Sequence, residues 1–344
     1  MTVTVDLCTL EDGDDLMRFI HDYWSATHVL ARSKTLMDWQ HRDEANRRYN
    51  FIAGRDENGI VGILGFILAS RYDPALAGDA DTLWLTTWKV RTDLARGLGL
   101  VLLRKLDTML APGWIGTVGL NPATRGIYQA FGYRVGMLAR HYMLNQTVDD
   151  YRLATVPAEF RKGANFTSGA GFLELDRHSF WTSTDGFDLD ATNQVPRKTR
   201  TYIHARYLLH PFYRYRALLI VDGTQAGIAV LRECSHEGAK AIRIVDYLGS
   251  PGTLRYSGAA FQQILLDSGA EYLDFFCSGL EPELAAAGFS KLAGTDSFGL
   301  ILPGYFEPFE RGNVELTFAL RGPVGPLVVC KGDADQDRPN LLGD

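Results

Sequence analysis

"TDLARGLGLVLLRKL", residues 92–106, is the stretch on which the reading of this chain turns. Gly97 and Gly99 stand one residue apart at the head of an aliphatic, helix-prone run. Alone the pair says little, because glycines punctuate loops in every fold. Its setting says more. The preceding residues, "DTLWLTTWKV" (81–90), are rich in β-branched and aromatic side chains and read as a strand. The glycines therefore sit in a strand-to-helix turn. At a helix N-terminus the first N–H groups point outward unpaired and the dipole is positive, which suits a pyrophosphate. Without a Cβ at Gly97 and Gly99 a bulky anion can approach the backbone, and Arg91 and Arg96 add charge. A plain turn into a helix is the alternative.

Around this stretch the first half alternates strands and helices. "TVTVDLCTL" (2–10) is strand-like, and "EDGDDLMRFIHDYWSA" (11–26) is an amphipathic helix with acidic residues in its first turn. "NFIAGRDENGIVGILGFILAS" (50–70) reads as two strands around a D-E-N-G turn. After the glycine turn come a strand, "GWIGTVGLN" (113–121), a short helix, "PATRGIYQAFGY" (122–133), and a strand, "RVGMLARHYML" (134–144). Residues 146–184 read as mixed loops and a short helix.

The second half then repeats the order. A hairpin around D-G-T (215–234) and a strand (239–250) precede "PGTLRYSGAAFQQILLDSG" (251–269), a loop feeding a helix. A strand (270–279) and a short helix (280–289) follow, with "LAAAGF" (284–289) matching "YQAFGY" (128–133). The expected fold is α/β (α+β), one domain pattern used twice: 1–150 and 151–344, each a mixed sheet flanked by helices.

Strand, glycine loop, helix, strand, then Asn121, Tyr128 and Gly132-Tyr133: in this order the first half resembles the GCN5-related N-acetyltransferase superfamily. The family's phosphate loop usually begins with Gln or Arg where this chain has Leu94, which leaves the grip to backbone N–H groups and Arg96. The resemblance implies acetyl-CoA or another acyl-CoA as co-substrate, held by Trp88, Lys89, Val90, Arg91, Arg96, Gly97, Leu98, Gly99, Leu100, Asn121 and Tyr128. It further implies a backbone N–H around Lys89–Arg91 that polarises the thioester oxygen. Tyr128 stands where the family often keeps the acid that protonates the leaving thiolate. A core aromatic is the other reading of Tyr128, and a helix cap the other reading of Asn121. His28 and His41, in "SATHVLARSKTLMDWQHRD" (25–43), are the candidates for the amine's base, with solvated histidines as the bland alternative.

The second half looks like a degenerate copy. "SPGTLRYSGAA" has no G-x-G and a leucine or alanine replaces the tyrosine, so one coenzyme A is expected, not two. Its expected task is to close the acceptor site, with Trp39 from the first half and His204, Arg206, His210 and Tyr213 from "HARYLLHPFYRYR" (204–216). A surface helix and strand start is the alternative for that stretch. The tail "CKGDADQDRPN" (330–340) lacks the glycine and glutamate of a calcium loop and reads as a solvated acidic cap, or else as an ordered tail whose Asp337 and Arg338 reach the substrate. No metal is expected. "HVLARSKTLMDWQHRD", "LPGYFEPFE" and "DQDRPN" resemble tandem acetyltransferase-fold proteins encoded with bacterial surface-polysaccharide genes, which implies a nucleotide-linked amino deoxysugar as acceptor. Another small amine and a peptidoglycan-bridge type aminoacyl transfer are the alternatives.

Composition narrows these classes. The 344 residues suggest two domains, and 46% hydrophobic with 22% charged residues is globular usage. A net charge of −6 speaks against a nucleic-acid partner, which would require a basic surplus. The N-terminus lacks the basic and apolar regions of a signal peptide, and no apolar run approaches the roughly 18 residues of a membrane span. Cys8, Cys234, Cys277 and Cys330 lie far apart, as expected of reduced thiols in a cytoplasmic protein.

Overall fold

The computed structural model describes residues 2–91, 93, 97–161, 169–191, 194–294 and 298–342. The first half opens with β1 (Thr4–Thr9) and α1 (Gly13–Tyr23), joined by a turn in which Thr9 and Asp12 cap one another. Next come α2 (Val29–Arg32) and α3 (Lys34–His41), capped by the His28 and Ser33 side chains. The sheet is then laid down by β2 (Arg42–Asp43), β3 (Arg48–Asp56), β4 (Gly59–Leu68) and β5 (Thr82–Val90). Helix α4 (Leu98–Leu110) crosses to β6 (Trp114–Val118), and α5 (Arg125–Ala130) leads into β7 (Arg134–Leu144).

The second half begins with β8 (Gly171–Leu175), α6 (Phe180–Thr184) and α7 (Arg200–Ile203), which continues as a π-helical turn through Leu208. It repeats the first in β9 (Tyr215–Asp222), β10 (Gln225–His236) and β11 (Ala239–Gly249). Then follow α8 (Pro251–Arg255), α9 (Gly258–Ser268), β12 (Tyr272–Ser278), α10 (Glu281–Ala286) and β13 (Ser290–Lys291). A small hairpin, β14 (Tyr305–Phe306) and β15 (Phe309–Glu310), precedes β16 (Leu316–Arg321) and β17 (Val329–Cys330).

Two local expectations are corrected. Strand β8 lies where only loops and a helix were expected: it is an edge strand with four of five residues exposed, so no apolar alternation marks it. The supposed loop after β11 is already helical, because Pro251 occupies a first-turn position that needs no N–H donor.

One sheet runs through both halves, in the order β1-β3-β4-β5-β6-β16-β7-β12-β11-β10-β9-β8. Along that path the pairs are antiparallel except β5 with β6 and β11 with β12, the two bridged by helical crossovers. The halves exchange strands. Late in sequence, β16 inserts between β6 and β7 of the first half. Strand β7 pairs with β16 over residues 134–138 and with β12 over 139–144. A shared core follows from this arrangement, joining Ile67, Trp84 and Trp114 to Phe180, Leu248 and Phe276. All four cysteines are buried free thiols, and among the described residues no helix is long and apolar enough to cross a membrane.

The seam between the halves carries a buried charge cluster. Asp274 on β12 accepts hydrogen bonds from Arg140 on β7 (2.6 and 3.0 Å) and from Arg243 on β11 (2.9 Å twice). Burial opposes its charge, but Arg243 and Arg140 outweigh burial and hold the carboxyl at about 2, below its ordinary 3.8. The native state therefore binds fewer protons than the unfolded chain between these values. Stability from the cluster is present above about pH 4 and lost as pH falls through about 2. The gap in urea midpoint between wild type and Asp274→Asn is expected to narrow over that window. A gap independent of pH rules out the linkage.

Candidate functional site

The two parallel strands at the centre of the first half part company early. β5 and β6 pair only at residues 82–84 and 114–116, while β5 continues to Val90 and β6 to Val118. On its other edge β5 carries a bulge, with Thr86 and Thr87 opposite the single residue Gly65 of β4. Beyond it Arg91 donates its N–H to Val61 O at 3.0 Å. N–H groups alternate sides along an antiparallel ladder, so that of Lys89 also turns to β4 while those of Trp88 and Val90 turn to the gap. The expected polarising donor thus narrows to Val90 or Trp88. The backbone of Arg91 is taken, and its side chain pairs with Asp93 and lies over Tyr23.

The gap opens into a cleft of about 720 Å³ lined by Thr86, Trp88, Val90, Thr117, Asn121 and Tyr128. Helix α4 points its N-terminus at this cleft, and Gly97, Gly99 and Leu100 form part of the wall. Gly97 has φ +89°, a left-handed conformation natural to glycine, and among the described residues no side chain caps the helix. Leu98, the first residue of α4, turns its side chain into the core instead, with Leu102, Leu103 and Leu106. Arg96 and Leu94 lie outside the described residues. Asn121 both lines the cleft and caps the next turn, accepting from Ala123 N at 2.9 Å. Tyr128 packs edge-on against Trp88 and Tyr133, and burial, with Tyr133 adding, pushes its pKa above the ordinary phenol value.

The remaining wall comes from the far end of the chain. β17 pairs with β12, after which Lys331 N donates to Phe276 O (3.0 Å) and Gly332 N to Val245 O (2.8 Å). The tail thus fills the place where β11 and β12 separate, just beyond their last pair at Ile244 and Phe275. It is not a solvated cap, which corrects that expectation. Asp333 meets Lys198, which also meets Asp246, at 2.6 and 2.5 Å. Burial opposes the charge on Lys198, yet Asp246 and Asp333 outweigh it and push its pKa up. Arg206 donates to the carbonyls of Gly332, Asp333 and Ala334. Asp337 is held by Arg232 (2.8 and 2.9 Å) and the Tyr215 hydroxyl (2.8 Å). So anchored, the tail delivers Asp335, Gln336 and Arg338 into the cleft of the other half. Gln336 lies so close to Gly119 (φ +78°) that a Cβ there would stand 2.3 Å from its amide carbon.

Splayed central strands, a bulge beside the splay, a helix N-terminus facing it and a tyrosine on the next helix settle the architecture. The fold is that of the GCN5-related N-acetyltransferases. One such N-acetyltransferase, from Kribbella flavida, matches with a TM-score of 0.50 at 13% identity, over 93% of this chain and 71% of that one. Another, from Anabaena variabilis ATCC 29413, matches with 0.50 at 11% identity, over 93% and 72%. No family model matches the sequence, and no curated protein matches it.

On this acetyltransferase fold the remaining expected residues scatter. His41 lies away from the cleft, fully buried, with Nδ1 at 3.1 Å from Phe66 O and Nε2 at 3.0 Å from Gln40. Burial holds its pKa at about 3. His28 accepts the Leu30 N–H at Nδ1 (3.2 Å), and its Nε2 faces Arg338 at 3.4 Å. Burial and then Arg338 bring it to about 4. Trp39, Arg206, His210, Asp337 and Arg338 do converge, around a cavity of about 10 Å³ beside the cleft, room for one water. Tyr213 stacks on His210 one layer away, while His204 packs on Phe180 and Trp181. The surface-helix alternative for 204–216 fails, since Arg206 and Tyr207 are buried holding the tail.

Sequence reasoning missed Trp24, Thr86, Thr87, Thr117, Asp335 and Gln336, all of which line the cleft. No local pattern sets Asp335 apart from Asp333 or Asp337. Among the described residues no group of three or more His, Cys, Asp or Glu side chains could hold a metal ion.

Proposed function

We propose that the chain is an acyl-CoA N-acyltransferase, in which residues 1–150 hold the acyl-CoA and 151–344 close the acceptor side. The observation that carries this reading is the splay of β5 from β6 beneath the N-terminus of α4. A pyrophosphate suits the N–H groups at the head of α4, where the helix dipole is positive. A thioester in the gap meets the N–H of Val90 or Trp88, and an oxyanion donor of this kind contributes a few kcal/mol to the transition state. Tyr128, protonated at neutral pH, stands ready to donate to the leaving thiolate. The tail filling the second splay is consistent with one coenzyme A per chain.

For the acceptor we propose the amino group of a nucleotide-linked amino deoxysugar used in surface-polysaccharide synthesis. In support, the cleft is lined by Thr117, by the aromatic side chains of Trp24 and Trp88, and by Arg338. Such a set suits a polyhydroxylated ring with an anionic tail.

Acetyl-CoA at a hundred times its Kd is expected to stabilise the protein by about 2.7 kcal/mol, read as a rise in Tm. Thiol release is then expected with nucleotide-linked amino deoxysugars and not with polyamines or free amino acids. The absence of a Tm shift with acetyl-CoA and with longer acyl-CoAs overturns the transferase reading. Thiol release with every amine except the sugars overturns the acceptor.

A further inference from the structure

The base that takes the proton from the attacking amine has no occupant among the histidines. Both ring nitrogens of His41 are engaged in the core, and His28 has one nitrogen used as a helix cap and the other against a guanidinium. Among the described residues lining the cleft there is one carboxylate, that of Asp335. We propose that Asp335, carried in from the C-terminal tail, is the catalytic base for the acceptor amine; the assignment rests on the acyltransferase reading above.

Three observations carry it. Oδ2 of Asp335 is tied to Nη1 of Arg338, while Oδ1 has no hydrogen bond among the described residues and is left to receive a proton. The side chain is only 9% exposed, so it is shielded from bulk water yet reaches the cleft. It is also clamped on both sides. Arg206 fixes the Ala334 carbonyl, Arg232 and Tyr215 fix Asp337, and Gln336 is seated against Gly119. A group held this firmly meets the positional demand on a base, for which an error of 1 Å can cost a hundredfold.

The step balances. The acceptor ammonium first gives a proton to Oδ1 of Asp335, which passes it to solvent, and the freed lone pair forms the C–N bond at the thioester carbonyl carbon. The second proton on nitrogen goes to Oδ1 of Asp335 in its turn, the C–S bond breaks, and the thiolate takes the Tyr128 proton. Asp335 returns its proton to solvent and Tyr128 regains one, leaving amide, free thiol and one proton released. Arg338, bonded to the other oxygen, is a positioning residue.

A nucleoside-diphosphate-linked 4-amino-4,6-dideoxyhexose is the probe; its primary amine is protonated in solution, so that its reaction needs a base. Thiol release from acetyl-CoA is measured for wild type, Asp335→Asn and Asp335→Glu, alongside the acetyl-CoA-induced rise in Tm. Asp335→Asn is expected to lower the rate about a hundredfold or more while keeping the Tm rise, and Asp335→Glu to recover part of the rate. A wild-type rate in Asp335→Asn overturns the assignment. So does loss of the acetyl-CoA-induced Tm rise in Asp335→Asn, which makes the residue structural. A wild type whose Tm does not respond to acetyl-CoA removes the acyltransferase reading itself, a separate failure.

Discussion

Lys198→Met is expected to cost about 3–5 kcal/mol of stability, the usual penalty for stripping one partner from a buried ion pair. The Lys198 ammonium is almost fully enclosed and is shared by Asp246 and Asp333. Methionine fills much of the same volume, so the loss is one of charge. Two carboxylates then face each other across a dry interior, with the Tyr207 hydroxyl left on Asp246. The urea midpoint should fall with little change in slope. Adding Asp333→Asn should restore part of the loss, because the two sites share one interaction. An unchanged midpoint sinks the idea that this pair anchors the tail. Since Asp333 precedes Asp335 by two residues, a lower acyl-transfer rate should accompany the loss of stability.

Tyr128→Phe should lower kcat by about a hundredfold or more while the KM for acetyl-CoA moves little. Phenylalanine keeps the ring that packs against Trp88 and Tyr133, so only the hydroxyl is removed. That separates chemistry from packing. A kcat equal to wild type takes Tyr128 out of the acid role and returns it to the core.

Much of the fold was legible because its elements are locally written. The β3–β4 hairpin, the β5 strand and α4 each carry their own apolar period and punctuation, with Gly97 at the one position where the chain turns left-handed into the helix. The repeat across the halves was legible for the same reason. Exchange of β16 was not. "LTFALR" (316–321) carries nothing local that names its partners; in the structure it lies between β6 and β7, with Phe318 in the core that Trp84 and Phe276 share.

The site divides along the same line. On the first half, Trp88, Val90, Gly97, Gly99, Asn121 and Tyr128 were named by the glycine turn's setting together with the family resemblance, and all line one cleft. On the second half, of the polar aromatics and arginines of 204–216 expected at the acceptor site, Arg206, Tyr207 and Tyr215 hold the tail, while His204 packs on Phe180 and Trp181. A charge-rich sequence reads as solvated because isolated charges are costly to bury. Here Lys198, Arg206 and Arg232 remove that cost, and each lies about a hundred residues or more from the tail atom it meets.

What the sequence determined by itself is therefore most of the order of elements and the glycine head of α4, set by neighbours within a few residues. The tertiary structure alone decided that β7 and β16 stitch the halves together and that residues 331–338 run inward to bring Asp335 into the cleft that Thr117 and Tyr128 also line. The physical reason is that burying an acidic segment depends on counter-charges supplied from elsewhere in the chain, and local sequence carries no record of where they will stand.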